Sequence, residues 1–134
     1  LSFAPTTSAQ TRPVTIDDVL ALRTVAAPTL SPDGAAVLFT IRQWQDGDGG
    51  KKDARTHLWR APADGSAPAR QVTFGERGDT QPGWSPDGRY MSFVSSRGKQ
   101  NEQDAKAQLW VMRSNGGESW PLTTAGEESI WPPV

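Results

Sequence analysis

Cysteine is absent from the 134 residues, so the chain can form neither a disulfide framework nor a thiolate metal site. No apolar run approaches the roughly 20 residues that a membrane-spanning helix needs. Neither sign of charge dominates, because 14 basic residues stand against 15 acidic ones. This balance gives no electrostatic case for nucleic acid or an anionic membrane as a partner. We therefore expect no metal, no cofactor, no nucleic acid and no membrane partner.

Glycine and proline, in contrast, are abundant, with 13 and 11 residues spread along the chain as in an all-β protein. The tetrapeptide Ser-Pro-Asp-Gly occurs twice between apolar runs, at residues 31–34 and 85–88. Serine can bond its own backbone, proline presets φ, and glycine supplies the left-handed conformation that a bulged hairpin needs. The pattern predicts two hairpin turns.

The repetition continues downstream of these turns. Four dipeptides recur at offsets of 54, 51, 51 and 50 residues. In that order they are Ser31-Pro32 with Ser85-Pro86, Leu58-Trp59 with Leu109-Trp110, Asp64-Gly65 with Asn115-Gly116, and Val72-Thr73 with Leu122-Thr123. A repeat of about 50 residues built from hairpins is typical of a β-propeller blade. Tryptophans that recur at fixed repeat positions favour core or blade-contact roles over ligand binding; they are Trp59 with Trp110 and Trp84 with Trp131.

We predict an all-β partial propeller after a short capped helix. Its parts are a tail at 1–13, a helix at 14–25, one blade at 26–75, a second at 76–126 and the start of a third at 127–134. Strands are expected at 26–30, 36–41, 57–61, 69–73, 81–84, 90–95, 108–113 and 119–123. Both faces of the second strand are expected to be buried, and long loops are expected at 42–56 and 96–107.

The helix prediction rests on Thr15 as N-cap and Asp18 three residues later, the pattern of a capping box. We expect this helix to pack against the sheet. Before it, Thr7-Ser8-Ala9 fits the end of a secretory signal, although a plain polar tail fits the same residues. A trimmed signal would indicate a periplasmic or secreted protein, and a plain tail leaves a cytoplasmic one open.

Three patterns suggest chemistry, and none is complete. Residues 117–121 begin like a nucleophile elbow around Ser119, but Pro121 stands where the second glycine is required. His57, the only histidine, precedes Leu58-Trp59 on a predicted strand, where the second repeat has Gln108; a replaceable polar residue fits better than a general base. Residues 46–50 begin like a calcium loop without its closing glutamate. We expect no catalytic residue and no metal site.

Residues 14–25, followed by 28–34, resemble the start of the propeller domain in the prolyl oligopeptidase family, on its acylaminoacyl-peptidase and dipeptidyl-peptidase side. The resemblance covers residues 13–131 and implies a propeller that filters peptide access to an α/β-hydrolase domain with a Ser-Asp-His triad, which these residues do not contain. Glu127 and Glu128 resemble the paired glutamates that hold a substrate's amino terminus in the family's dipeptidyl peptidases, although the surrounding residues differ.

Two other classes of protein compete with this interpretation. Ser-Pro-Asp-Gly turns and strands such as 108–112 also resemble non-catalytic propellers of the TolB type, which act in protein interaction; the leading helix and the long loops argue against that type. A free-standing adaptor is disfavoured because two blades do not close a ring. Their bare outer faces require either the remaining blades of a longer protein or self-association.

Overall fold

The computed structural model describes residues 11–98 and 106–123. Within them lie one short helix, α1 (Ile16–Leu20), one 3₁₀ turn (Asp48–Gly50) and eight strands in two four-stranded antiparallel sheets. The first sheet contains β1 (Arg23–Leu30), β2 (Ala36–Asp46), β3 (Lys52–Pro62) and β4 (Arg70–Gln71). The second contains β5 (Asp79–Trp84), β6 (Tyr90–Ser95), β7 (Gln108–Arg113) and β8 (Trp120–Pro121). Each is a meander in chain order, so the expected all-β fold is confirmed.

The two Ser-Pro-Asp-Gly turns have matching geometry. They join β1 to β2 and β5 to β6, and in both turns the serine Oγ donates to the aspartate Oδ1 over 2.6 Å. The serine hydroxyl and the backbone N–H two residues after the aspartate together hold the pKa of Asp33 and of Asp87 below the usual range. The final glycines adopt φ of 73° and 70°, a left-handed conformation that favours glycine. The turns predicted from the sequence are confirmed.

The first strand of each sheet carries the same irregularity. Ala27 and Gln81 adopt φ of 51° and 53°, and each lies where the pairing register shifts. A proline follows each of them, and they are 54 residues apart, the same offset as the turns. A bulge of this kind bends the strand and increases its twist. The repeat therefore includes backbone conformation as well as residue type.

The segment predicted as a long loop at 42–56 is instead an extension of the β2–β3 hairpin, which we call the hairpin arm. Strand pairing continues through Trp44 with Ala54 to Asp46 with Lys52, beyond the last β1 partner of β2 at Gln43. The loop prediction was wrong because residues 42–46 and 52–56 are polar except for Trp44 and Ala54, and two strands can pair through their backbones without an apolar face. The other predicted loop, 96–107, lies largely outside the described residues.

The helix is shorter than the predicted 14–25. Its capping box is present, with the Thr15 backbone N–H donating to Asp18 Oδ2 over 2.8 Å and the Asp18 N–H donating to Thr15 Oγ1 over 3.4 Å. None of its five residues is buried, so the expected packing against the sheet was wrong. From Arg23 onward the chain pairs with β2, which leaves too few residues for an apolar helix face.

The core lies between the two sheets. Leu38 and Leu58 of the first sheet are fully buried against Met91, Phe93 and Met112 of the second, and Trp84 and Trp110 pack around them. On the opposite face of β2, Ile41 is buried but Val37 and Phe39 are only half-buried, so the expectation that both faces are buried is correct only in part. No second sheet covers that face among the described residues.

Polar contacts also join the sheets. The Trp84 Nε1–H donates to the Thr29 carbonyl over 3.1 Å, and Arg60 Nη1 donates to the Ser114 carbonyl over 2.7 Å. The Arg60 guanidinium also lies over the Trp84 ring, 5.5 Å from its centroid. Trp84 is thus a contact residue between the two sheets, and its place in the repeat predicted a contact role. In the part of the chain that is described, no helix is long and apolar enough to span a bilayer.

Candidate functional site

A buried charged cluster lies where the sheets meet, at the end opposite the Ser-Pro-Asp-Gly turns. His57 lies on β3, Asp79 is the first residue of β5, and Arg97 follows the last residue of β6 by two positions. Asp79 is 0% exposed and His57 is 2% exposed. Charged groups are rarely buried to this extent unless they are paired. The pairing of these buried charged groups is therefore a requirement of the folded structure.

Asp79 accepts hydrogen bonds from both neighbours. His57 Nδ1 lies 3.0 Å from Asp79 Oδ2, Arg97 Nε donates to Oδ1 over 3.1 Å, and Arg97 Nη2 donates to Oδ2. Burial by itself raises the pKa of Asp79, but hydrogen bonds from His57 and Thr73 and the charge of Arg97 hold it below the usual range. Asp79 is thus a carboxylate, and because a carboxylate only accepts, Nδ1 of His57 carries the proton.

Arg97 extends the cluster to the surface. Its Nη2 donates to the Phe74 carbonyl over 3.3 Å, and its Nη1 lies 3.4 Å from the Ser119 Oγ. The guanidinium also lies 4.9 Å from the centroid of the Phe93 ring in the core. One side chain therefore links the segment after β4, the start of β5 and the start of β8.

Two surface clefts adjoin this arginine, and both are lined by Phe74 and Arg97. The larger, of about 460 Å³, also contacts Glu76, Arg77 and Ser96, and the smaller, of about 330 Å³, contacts Met112 and Ser119. The Phe74 side chain is 65% exposed, so its ring is open to solvent beside the Arg97 guanidinium. An exposed ring beside a guanidinium can hold an apolar side chain and a carbonyl or carboxylate oxygen.

The cluster itself does not have the arrangement of a catalytic site. His57 is buried and its Nδ1 is engaged with Asp79, while Ser119 contacts Arg97. Ser119 precedes β8 in an antiparallel hairpin, whereas a nucleophile elbow needs a strained turn from a strand into a helix. The geometry suits a positioning role, in which Asp79 fixes Arg97 beside the clefts.

The other residues singled out in the sequence fall elsewhere. Glu127 and Glu128 lie outside the described residues, as does Trp131. Residues 46–50 form the tip of the hairpin arm. Within 11–98 and 106–123, no three histidine, aspartate or glutamate side chains are grouped so that they could hold a metal ion.

Asp79 and Arg97 were not among the residues that the sequence patterns singled out. One sequence feature pointed to the cluster: the second repeat has Gln108 where the first has His57. In the structure, the Gln108 Oε1 accepts a hydrogen bond from Thr123 Oγ1 over 2.9 Å. Thr73 and Thr123 themselves have equivalent roles, since each Oγ1 accepts from the backbone N–H of Leu58 or Leu109. The buried cluster, which lies between the two sheets, is thus an addition to an otherwise repeated pattern.

Comparison with known proteins places the chain near a bacterial peptidase. No family model matches it. The uncharacterized peptidase YuxL of Bacillus subtilis (strain 168) is 38% identical over 113 residues, which cover 82% of this chain. The chain spans 15% of the length of that relative. Among solved structures, a TolB protein from Agrobacterium tumefaciens is similar with a TM-score of 0.49 and 27% identity, over 72% of this chain and 32% of the other. The chain is therefore homologous to a peptidase along most of its own length.

Proposed function

We propose that this chain is the N-terminal propeller portion of a serine peptidase of the prolyl oligopeptidase type, and that it positions peptide substrates for a hydrolase domain outside these 134 residues. The observation that carries the proposal is the 38% identity with YuxL over 113 residues. The two successive blade-like meanders fit the same role, since propellers present loops and clefts at the ends of their sheets.

The clefts beside Phe74 and Arg97 are the part of the described chain best suited to contact a peptide. They lie at the end where the interblade segment and the connection after β6 meet. The exposed Phe74 ring offers an apolar surface, and the Arg97 guanidinium, fixed by Asp79, offers a donor for a carbonyl or carboxylate. A substrate held there would be oriented without any chemistry from these residues.

The paired carboxylates of Glu127 and Glu128 form the second half of the proposal. Two carboxylates can bind one ammonium group, so the pair would hold the amino terminus of a peptide. If so, the double substitution to glutamine should raise KM for dipeptidyl substrates with a free amino terminus. KM for an amino-blocked substrate should not change.

The experiment that tests the proposed function uses the whole protein encoded by the parent gene. A fluorophosphonate probe, which modifies activated serines, should label a serine beyond residue 134, and the labelled protein should lose hydrolysis of aminoacyl or dipeptidyl p-nitroanilides. The 134-residue chain alone should show neither labelling nor turnover.

Two outcomes contradict the proposal. Labelling of Ser119 that disappears in Ser119→Ala would place the nucleophile inside the propeller. A parent protein with further Ser-Pro-Asp-Gly repeats and no labelled serine would be a non-catalytic propeller that acts in protein interaction.

The polar residues before the helix extend the proposal to the compartment. If Thr7-Ser8-Ala9 ends a secretory signal, the parent peptidase is periplasmic or secreted. Cell fractionation of the epitope-tagged parent protein tests this, and recovery of the tagged protein only in the cytoplasmic fraction contradicts it.

A further inference from the structure

The first sheet places two arginines directly opposite each other on neighbouring strands. Arg60 on β3 pairs with Arg70 on β4, so their side chains lie on the same face of the sheet. Like charges at directly opposed positions destabilise a pair of strands. Strand β4 is two residues long, and Arg70 is exposed. Strand pairing by itself therefore gives no reason for the second arginine.

The second sheet has apolar side chains at the same two positions. At the repeat offsets of 51 and 50 residues, the equivalents of Arg60 and Arg70 are Val111 and Trp120, which also pair with each other. The repeated architecture thus requires no charge at either position. The arginine pair is a departure from the repeat, like His57 in the buried cluster.

Both arginines line a cleft of about 270 Å³ at the Ser-Pro-Asp-Gly end of the first sheet. The rest of its lining consists of small apolar side chains and proline rings, from Ala35, Ala36, Pro62, Ala67 and Pro68. Among the described residues, no acidic side chain contributes to this lining. The cleft therefore combines two positive charges with apolar walls, and such walls strengthen the attraction of an anion by lowering the local dielectric constant.

Arg60 is held in a fixed position inside the cleft. Its Nη1 donates to the Ser114 carbonyl over 2.7 Å, and its guanidinium lies 5.5 Å from the centroid of the Trp84 ring. These contacts use one of the five N–H donors that an arginine carries. The remaining donors have no acceptor in the described part of the chain, so a fixed guanidinium is available to a ligand.

Neither guanidinium has a carboxylate partner among the described residues. The Arg60 charge helps to hold the pKa of Asp33 below its usual range. However, the Asp33 Oδ1 accepts from the Ser31 hydroxyl over 2.6 Å and from the Ala35 N–H over 3.0 Å, both within its own turn. The Arg70 side chain makes no hydrogen bond and no ion pair within residues 11–98 and 106–123.

We propose that Arg60 and Arg70 form a binding site for a small oxyanion, either a phosphate or a carboxylate group. A guanidinium presents its donors as a planar fork that matches two oxygens of such an anion. A bound anion also offsets the repulsion between the two opposed arginines. The site lies at the end of the sheets opposite the clefts beside Arg97, so this inference does not depend on the proposed peptidase function.

Isothermal titration calorimetry of the whole protein encoded by the parent gene tests the site. Sodium phosphate and N-acetylalanine, added separately at constant ionic strength, distinguish a phosphate ligand from the carboxylate at the end of a peptide. Arg70→Gln removes one guanidinium that has no other side-chain partner in the described chain, so the fold should be unaffected. We expect this variant to bind at least one of the two probes about tenfold more weakly than the wild type, because charge-assisted hydrogen bonds are lost.

Arg113→Gln is the matched control. Arg113 is exposed on β7 at the same end of the second sheet and lies outside the cleft, so its replacement changes the net charge equally. Its effect on affinity should stay within about twofold, because exposed charges at a distance are screened. A loss of affinity confined to Arg70→Gln supports the proposal for whichever probe shows it.

Three results would overturn the proposal. The first is the absence of saturable binding of either probe to the wild-type protein. The second is equal affinity in the wild type and Arg70→Gln, which would place the anion elsewhere. The third is an equal loss in Arg70→Gln and Arg113→Gln, which would show that the anions respond to overall charge.

Discussion

Asp79 is a fully buried charged residue at the junction of the two sheets. Its carboxylate is inaccessible to solvent and is bonded to His57 and Arg97, which come from different strands and connections. Removing one partner from a buried pair leaves the other charge without compensation, and this costs more than the pair contributes when intact. Substitution of Asp79 therefore tests the contribution of the cluster to stability directly.

We expect Asp79→Asn to lower the free energy of unfolding by roughly 3 kcal/mol, because the Arg97 charge then lacks its partner. The matched control is Asp53→Asn, which removes an exposed ion pair with Arg55 and should cost at most about 1 kcal/mol. Urea denaturation followed by tryptophan fluorescence measures both. Equal losses would contradict a special role for Asp79.

The Asp79 carboxylate also makes the free energy of unfolding depend on pH. Because the pKa of Asp79 is lowered in the folded state, its stabilisation is fully present above the unfolded pKa of about 3.9 and is lost as the pH falls through the folded value. The difference in unfolding free energy between wild type and Asp79→Asn should therefore be complete at about pH 5 and shrink below about pH 4. Urea titrations across this range check it, and a constant difference down to pH 2 would show that the pKa of Asp79 is not lowered in the folded state.

At the scale of elements, the Ser-Pro-Asp-Gly turns show how local chemistry determines a hairpin. Both glycines have positive φ, and a Cβ at Gly34 would meet no atom within 4 Å. Any cost of a side chain there comes from the backbone conformation alone.

We therefore expect Gly34→Ala and Gly88→Val each to reduce the free energy of unfolding by at least about 1 kcal/mol. Gly78→Ala is the matched control, because Gly78 lacks a positive φ and a Cβ would make ordinary contacts at 3.7 and 3.8 Å. In thermal melts, the control should lower the melting temperature least of the three variants. A control as damaging as the turn variants would refute the conformational explanation.

Strand positions could be predicted from the sequence wherever apolar residues and turn residues agree. Strands β6 and β7 have the predicted bounds, 90–95 and 108–113. The hairpin arm was missed because its strands bury little apolar surface, and the helix was overextended because strand pairing takes over at Arg23. The buried cluster was missed because His57 and Asp79 are 22 residues apart, and no local pattern records such a contact.

For the whole molecule, the shared core makes the two sheets one cooperative unit. Leu38 and Leu58 of the first sheet pack against Phe93 and Met112 of the second, so neither sheet keeps its core alone. The Arg60 contact with the Ser114 carbonyl and the Trp84 contact with the Thr29 carbonyl add polar links across the same boundary. Loss of the core should melt both sheets together.

We expect Phe93→Ala to cost about 3 kcal/mol or more, because it removes a fully buried ring from between the sheets. Hydrogen exchange should then show equal losses of protection for amides in β2, β3 and β6. Val25→Ala, at a 62% exposed position, is the control and should leave both sheets unchanged. Loss of protection confined to the second sheet would show that the sheets unfold independently.

The hairpin arm has a further consequence for the covalent chain. Lys51 and Lys52 lie at its exposed tip, and past Gln43 its two strands pair only with each other. Trypsin should therefore cut first at this tip, and the nick should leave β2 held by β1 and β3 held by β2 and β4. The two pieces would stay associated as a split protein, so the arm is the place where this fold can be divided, tagged or lengthened without disturbing the sheet.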